Sequence, residues 1–220
     1  MKKKKLDIIY EDKDIIVINK PSGLLTVSTD KEKNKTLFKE VSEYVKKSNP
    51  RIKIFIIHRL DKDTSGIVIF AKNQNIKYMY QNVWDKIVLK RGYVAVVNGN
   101  LRKNEGRVKS YLKETKTLLV YSSNDKKEGK LAITDYKVIK KTKKYSMLAV
   151  DIKTGRKNQI RVHMKDLGNP ILGDRKYGNK KDSYDRLFLH ANELIIINPK
   201  NNKKMEFVCE VPKRFNNFFE

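Results

Sequence analysis

The chain has 220 residues, one cysteine, and fifty lysines and arginines against twenty-five acidic residues, a formal net charge of +25. A lone cysteine excludes an internal disulfide and suits a reducing compartment. No run approaches the ~18 apolar residues of a membrane span, and the basic start MKKKK leads into no apolar segment of the secretory kind. The expectation is a soluble, cytoplasmic protein with no membrane partner, folded as a single domain over 1–220.

A charge of this size favours a polyanionic partner, most simply nucleic acid. Forty of the fifty basic residues are lysine, so part of the charge is compositional. The lysines are scattered and do not form one amphipathic helix, which argues against a membrane-surface role.

In chain order, residues 6–27 alternate apolar runs and turns. EDKD makes a turn, and IIVINK reads as a strand closed by Pro21 and Gly23. Residues 36–47 fit an amphipathic helix with Thr36 as N-cap and Leu37, Phe38, Val41, Tyr44 and Val45 on one face. The apolar runs Ile54–Ile57 and Ile67–Ala71 read as strands. A helix is predicted over 76–89, with Ile76, Met79, Tyr80, Val83, Trp84, Ile87 and Val88 on one face and Asn73 or Asn75 as cap. That stripe reads as core packing. RGYVAVVNG follows as a strand, then 107–113, 117–122 and 131–139, then KYSMLAVDIK.

A short helix over 157–167 ends at Gly168, with Ile160, Met164 and Leu167 on one face and Arg161 off it. LFLHANELIIINP and KMEFVCEV close the chain as strands, with Cys209 read as a small buried hydrophobe. KKTKK and NKKD read as solvated turns. Strands outnumber helices and connections are short, which predicts an α+β fold: a mixed, largely antiparallel sheet flanked by helices.

Between the runs 54–57 and 67–71 lies HRLDKDTSG, residues 58–66. Charged residues stay out of such places unless paired or put to use. His58, Asp61 and Asp63 give H-x2-D-x-D, a possible hard-ligand set. However, Arg59 and Lys62 put positive charge among those ligands, and no second cluster has ligand spacing. No G-x-S-x-G and no phosphate-binding glycine loop occurs.

The remaining reading is one essential carboxylate, Asp61, kept ionised by a guanidinium. Of ten arginines, Arg59, Arg156, Arg161 and Arg175 lie in HRLDKDTSG or in TGRKNQIRVHMKDLGNPILGDRKYG, residues 154–178. Arginine is the choice where a planar, permanently charged fork meets a carboxylate or phosphate. Arg175 is assigned to an ordinary surface or structural ion pair.

These stretches resemble the RluA-like pseudouridine synthases. HRLDKDTSGIVIFAK is similar to the family's signature, DKDIIVINKPSGL to its first motif, KRGYVAVVNG to the segment with its active-site tyrosine, TGRKNQIRVHMKDLGNPILGDRKYG to its third motif and RLFLHANEL to its closing strand. The resemblance implies that Asp61 is the catalytic aspartate, that Tyr93 stacks on the target base and that Arg161 pairs with the aspartate. It implies that Arg59 helps fill the gap left by the flipped nucleotide and that Lys20 and Pro21 are structural; Arg156, singled out among the arginines of 154–178, is a further substrate-binding candidate. The family usually has Thr-His where this chain has Lys157-Asn158. Its N-terminal S4 RNA-binding domain is expected to be absent. The implied activity is cofactor-free and metal-free isomerisation of uridine in ribosomal or transfer RNA, in a central catalytic cleft; the missing S4 domain favours a stem-loop target, and a monomer is the expected state. A catalytically dead RNA-binding relative and a metal-dependent phosphoesterase are the rival classes.

Overall fold

A computed structural model describes residues 6–30, 32–178 and 184–220. The MKKKK start and the NKKD segment lie outside the described residues. Among those described, eleven strands and four α-helices form, and each strand pairing given below is antiparallel. The chain divides into two compact units. One holds the chain up to Leu89 with Ala191–Glu210, and the other holds Lys90–His190 with Val211–Glu220.

The first unit is built on β2 (Ile15–Lys20) and β4 (Ser65–Ala71), paired from Ile15 opposite Ala71 to Lys20 opposite Gly66. β1 (Ile8–Glu11) pairs with β2, and the two-residue β3 (Phe55–Ile56) pairs with β4. The EDKD turn between β1 and β2 forms as expected, Asp12 Oδ1 accepting from the N–H groups of Asp14 and Ile15, both at 2.7 Å. β10 (Leu189–Ile197) follows β4 in the sheet and pairs with β11 (Lys204–Val208). Both β2 and β4 are nearly continuous apolar runs because both faces are covered. Ile15, Val17, Ile67, Ile69 and Ala71 share a core with Ile76 and Tyr80, while Phe70 packs on Phe38 at 6.4 Å.

Helix α1 (Leu37–Ser48) starts where predicted. Thr36 Oγ1 accepts from Lys39 N–H at 3.2 Å, and Leu37, Val41 and Val45 are buried. Tyr44 falls off that face and donates to Glu11 Oε2 at 3.1 Å. The helix expected over 76–89 is shorter. α2 (Gln74–Asn82) is capped by Asn73, whose Oδ1 accepts from Ile76 N–H at 2.9 Å, and it ends at Val83. α3 (Trp84–Ile87) is a separate turn, and Val88 already belongs to the next strand. The apolar stripe persists through Val83, but the backbone there leaves the helical region at φ −119°, ψ 13° and re-aims the chain; Met79 is exposed. Cys209 follows β11, buried with its Sγ 3.4 Å from the Ala191 carbonyl, and burial pushes its thiol up to about 12. The structural reading of that cysteine holds.

The second unit has the order β5 (Val88–Asn98), β9 (Tyr145–Ile152), β8 (Lys130–Lys141), β6 (Glu105–Glu114) and β7 (Val120–Ser123). KKTKK closes the β8–β9 turn as expected, Thr142 N–H donating to the Tyr145 carbonyl at 2.8 Å. Helix α4 (Gln159–Asp166) is buried on more than one side. Ile160 and Met164 pack with β5 and β9 residues, whereas Val162 joins Leu112, Val120, Ala132 and Tyr177. The expected single apolar face is therefore corrected. Leu167 is exposed, while Arg161 and His163 are buried and need partners. A 3-10 helix, Lys213–Phe218, buries Phe215 completely and was not expected.

Candidate active site

Asp61 lies half-buried in the loop between β3 and β4, and both of its neighbours are held through their backbone. On one side, Thr26 Oγ1 donates to the Leu60 carbonyl at 2.8 Å and accepts from the Leu60 N–H at 3.3 Å. On the other, the Lys62 carbonyl accepts from Gly23 N–H at 3.0 Å and from Lys20 Nζ at 2.9 Å. Ser22 Oγ donates to the Asp63 carbonyl at 2.6 Å. Thus KPSG-x2-T of the first motif grips HRLDKDTSG, which is why the two stretches occur in one chain.

The centre of this grip is Lys20, whose side chain is fully buried. Its ammonium has three donors, and they reach the carbonyls of Pro21 at 2.9 Å, Leu24 at 2.8 Å and Lys62 at 2.9 Å. The structural role expected for Lys20 is therefore a three-way backbone clamp. Gly66 closes the loop into β4. Its φ of +115° suits glycine, and a Cβ there would lie 2.1 Å from the Ala191 carbonyl oxygen.

His58 has a packing role. Its ring stacks on Trp84 at 5.1 Å, and its Nε2 accepts the Ile69 N–H at 3.3 Å. That occupies the lone pair a metal would need, so His58 does not fit the H-x2-D-x-D reading. Arg59, next to it, is exposed.

Asp61 and Arg59 sit in the first unit; Tyr93, Arg156 and Arg161 sit in the second. Tyr93 is half-buried on β5, opposite Val150 of β9. Arg156 is exposed, with Nε donating to the Leu131 carbonyl at 2.9 Å. Arg175 is exposed too, and the residue before it, Asp174, has the larger role.

Arg161 is held by its own guanidinium. Nε and Nη2 donate to the two oxygens of Asp174, both at 2.7 Å, in the paired-fork geometry that carboxylates offer arginine. Nη1 donates to Asn158 Oδ1 at 3.1 Å, and the Tyr177 ring lies 5.1 Å beneath. Tyr177 is fixed in turn, its hydroxyl accepting from Asn158 Nδ2 and Val120 N–H, each at 3.0 Å. Asp174 also accepts the N–H groups of Lys176 and Tyr177, both at 2.9 Å. The bonds to Asp174 and Asn158 use three of the five guanidinium donors. Asn158, where the family usually has histidine, takes the left-handed conformation with φ 55°, which asparagine tolerates. The departure from the family pattern is thus an integral part of the arginine's support.

α4 itself is tied down by a chain of polar groups. The Asp166 carboxylate accepts from Ser122 Oγ, whose proton is thereby committed. Ser122 then accepts from Ser110 at 3.1 Å, and Ser110 from His163 Nε2 at 3.0 Å, which leaves Nδ1 to accept from Thr134 at 2.9 Å. Gln159 Nε2 donates to Thr134 Oγ1 at 2.9 Å. Burial holds His163 down to about 4, with nearby Asp166 opposing, so the imidazole is neutral at physiological pH.

Sequence reasoning missed Asp174, Asn158 and Tyr177 as the arginine's support. The only local signal was GD followed three residues later by tyrosine in the already suspicious third motif.

The comparisons with known proteins agree with one another. A family model described as RNA pseudouridylate synthase matches residues 14–166. An uncharacterised RNA pseudouridine synthase of Mycoplasma genitalium is 38% identical over 215 residues, covering 96% of this chain and 68% of that protein. Ribosomal large subunit pseudouridine synthase D of Borreliella burgdorferi is 41% identical over 216 residues, covering 94% and 66%. The chain thus spans about two thirds of the length of these two relatives. tRNA pseudouridine synthase C of Haemophilus ducreyi is 33% identical over 219 residues, covering 91% and 88%.

Human RNA pseudouridylate synthase domain containing 4 has the same fold, with a TM-score of 0.79 at 24% identity over 95% of this chain and 90% of that one. Human RNA pseudouridylate synthase domain containing 1 aligns at 0.76 with 25% identity over 98% and 86%. The family match runs from residue 14 to the end of α4 and so spans the loop that holds Asp61 and the helix that holds Arg161: this chain belongs to the RNA pseudouridylate synthase family.

Proposed function

We propose that the chain isomerises uridine to pseudouridine in a stem-loop of ribosomal or transfer RNA, with Asp61 as the catalytic residue. The observation that carries this reading is the clamped loop. A half-buried carboxylate whose neighbours are fixed on both sides by Thr26, Gly23 and Lys20 is pre-aimed for chemistry.

The reaction breaks the N1–C1′ bond and remakes it as C5–C1′, with no net gain or loss of atoms. Extruding the nucleotide from its stack costs a few kcal/mol. Asp61 then acts at the ribose, by attacking C1′ or by removing the C2′ proton. The released uracil turns and bonds through C5, whose proton passes to a base. Tyr93 packs on the ring and assists that step, Arg161 keeps Asp61 charged and aimed, and Arg59 occupies the space the nucleotide left. Arg156 holds a substrate phosphate. The chain acts as a single catalytic domain, a monomer in the cytoplasm. No helix among the described residues is long and apolar enough to cross a membrane.

The test is pseudouridine mapping of ribosomal and transfer RNA treated with the parent and with Asp61→Asn. Asparagine is nearly isosteric but can neither attack nor take a proton. The parent should mark discrete sites and the variant none, while both bind RNA. Pseudouridine formed by a clean Asp61→Asn preparation would overturn the assignment.

A further inference from the structure

Beside the turn that precedes α4, the second unit carries a groove of about 560 Å³ between the ends of β6, the start of β8 and residues 155–157. That is the size range of small-molecule sites, but its lining is unlike one. The walls carry five cations, Lys113, Lys127, Lys130, Arg156 and Lys157, against two carboxylates. Both carboxylates are already answered. Glu114 pairs with Lys157, and Glu128 with Lys113 at 3.1 Å. Five cations less two carboxylates leave the groove at +3. Lys157 stands where the family usually has threonine, so this chain's departure from the pattern neutralises Glu114.

Arg156 is anchored through Nε on the Leu131 carbonyl, and that bond leaves both Nη groups for a ligand. The apolar part of the lining is aliphatic, Leu112 and Val120, and no aromatic side chain lines the groove. Tyr121 interacts with Lys113 but is not among the lining residues, so the groove itself offers no stacking platform.

We infer that this groove is an RNA-backbone site that grips phosphates outside the target nucleotide and does not read bases. The inference deepens the RNA-modifying reading above and rests on it for the identity of the polyanion. Phosphate contacts position a strand without carrying sequence information. Lys127 and Lys130 are exposed. Exposed cations hold one small anion weakly because solvent screens each pair. A polyanion gains from every cation at once through released counterions.

The test uses a uridine-free oligocytidine of about twenty nucleotides, longer than the ~4–16 nucleotides of a single-strand site, with affinity read by fluorescence anisotropy across a salt series. Lys127→Gln/Lys130→Gln should make the log–log salt slope shallower by roughly 1.4, two contacts at ~0.7 each, and oligoadenosine should give the same change. Lys46→Gln/Lys47→Gln, exposed in the last turn of α1, removes equal charge elsewhere and should leave the slope unchanged. Equal loss in both pairs, or no loss in the first, would overturn the groove. So would displacement of the RNA by millimolar adenosine monophosphate, which would mark a small-anion site. A parent that forms no pseudouridine would end the isomerase reading separately, since the anisotropy experiment needs no uridine.

Discussion

Asp61 and Arg161 are held in opposite ways. The loop of Asp61 is fixed through its main chain. Hydroxyls and an ammonium bond the carbonyls and N–H groups of the residues beside Asp61. Arg161 sits on a helix, and its charged tip is fixed directly by a buried carboxylate, an amide and a ring. The first arrangement tolerates a change of charge on the loop's own side chains but not a change of backbone shape or the loss of the Lys20 ammonium. The second tolerates neither, because removing one charge strands the other in a dry site.

The sharpest way to break the comparison is Asp174→Ala. It leaves Arg161 buried beside an empty position and should cost about 3–5 kcal/mol in chemical denaturation. Arg161→Met/Asp174→Leu removes both charges and should recover most of that stability while remaining inactive. A double variant as unstable as the single would show that the pair's neighbours, not its charge, set the cost.

The next effect is acid sensitivity. His163 is held near 4 when folded and near 6.5 when unfolded, so the unfolded chain binds the proton first as pH falls. Stability from this group is complete above pH ~6.5 and declines toward pH ~4, by roughly 3 kcal/mol. Protection factors at pH 4.5, relative to pH 7, should therefore fall in α4 and β8 more than in β2 and β4. A uniform fall would refute the assignment to His163.

Lys20→Met is the corresponding test of the first unit. Three carbonyls lose their donor, which should cost about 2 kcal/mol. Since the Lys62 carbonyl sits next to Asp61, turnover should fall further than stability. Thr26→Val is smaller still, about 1 kcal/mol for its two bonds to Leu60, with a modest rise in mobility of the 58–65 loop measurable by exchange of Leu60 N–H.

What the sequence disclosed follows the same division. Local signals were readable: Thr36 as a cap, the EDKD turn, the buried run IIVINK, and the anomaly of charges between two apolar strands. The end of α2 was not, because Val83 continues the apolar stripe and the break lies in its backbone. Arg161 was singled out by its company, yet its support was invisible. Asp174 lies thirteen residues away, and Val120, which fixes Tyr177, lies on another strand. Helix periodicity placed Arg161 off the apolar face, but α4 is covered on more than one side, so that position is also buried. Tertiary closure, not local propensity, decided each of these.

The burial of Lys20 has a chemical corollary. Amine-reactive reagents act on the unprotonated, solvent-reached ε-amine, and this chain offers them a lysine-covered surface. Lys20 is wholly enclosed, with each proton turned to a carbonyl, so it should acylate last. Its rate of labelling would count the occasions on which the clamp lets go of the Asp61 loop. Mass spectrometry of a single peptide then becomes a clock for that opening, and RNA that seats the loop should slow it.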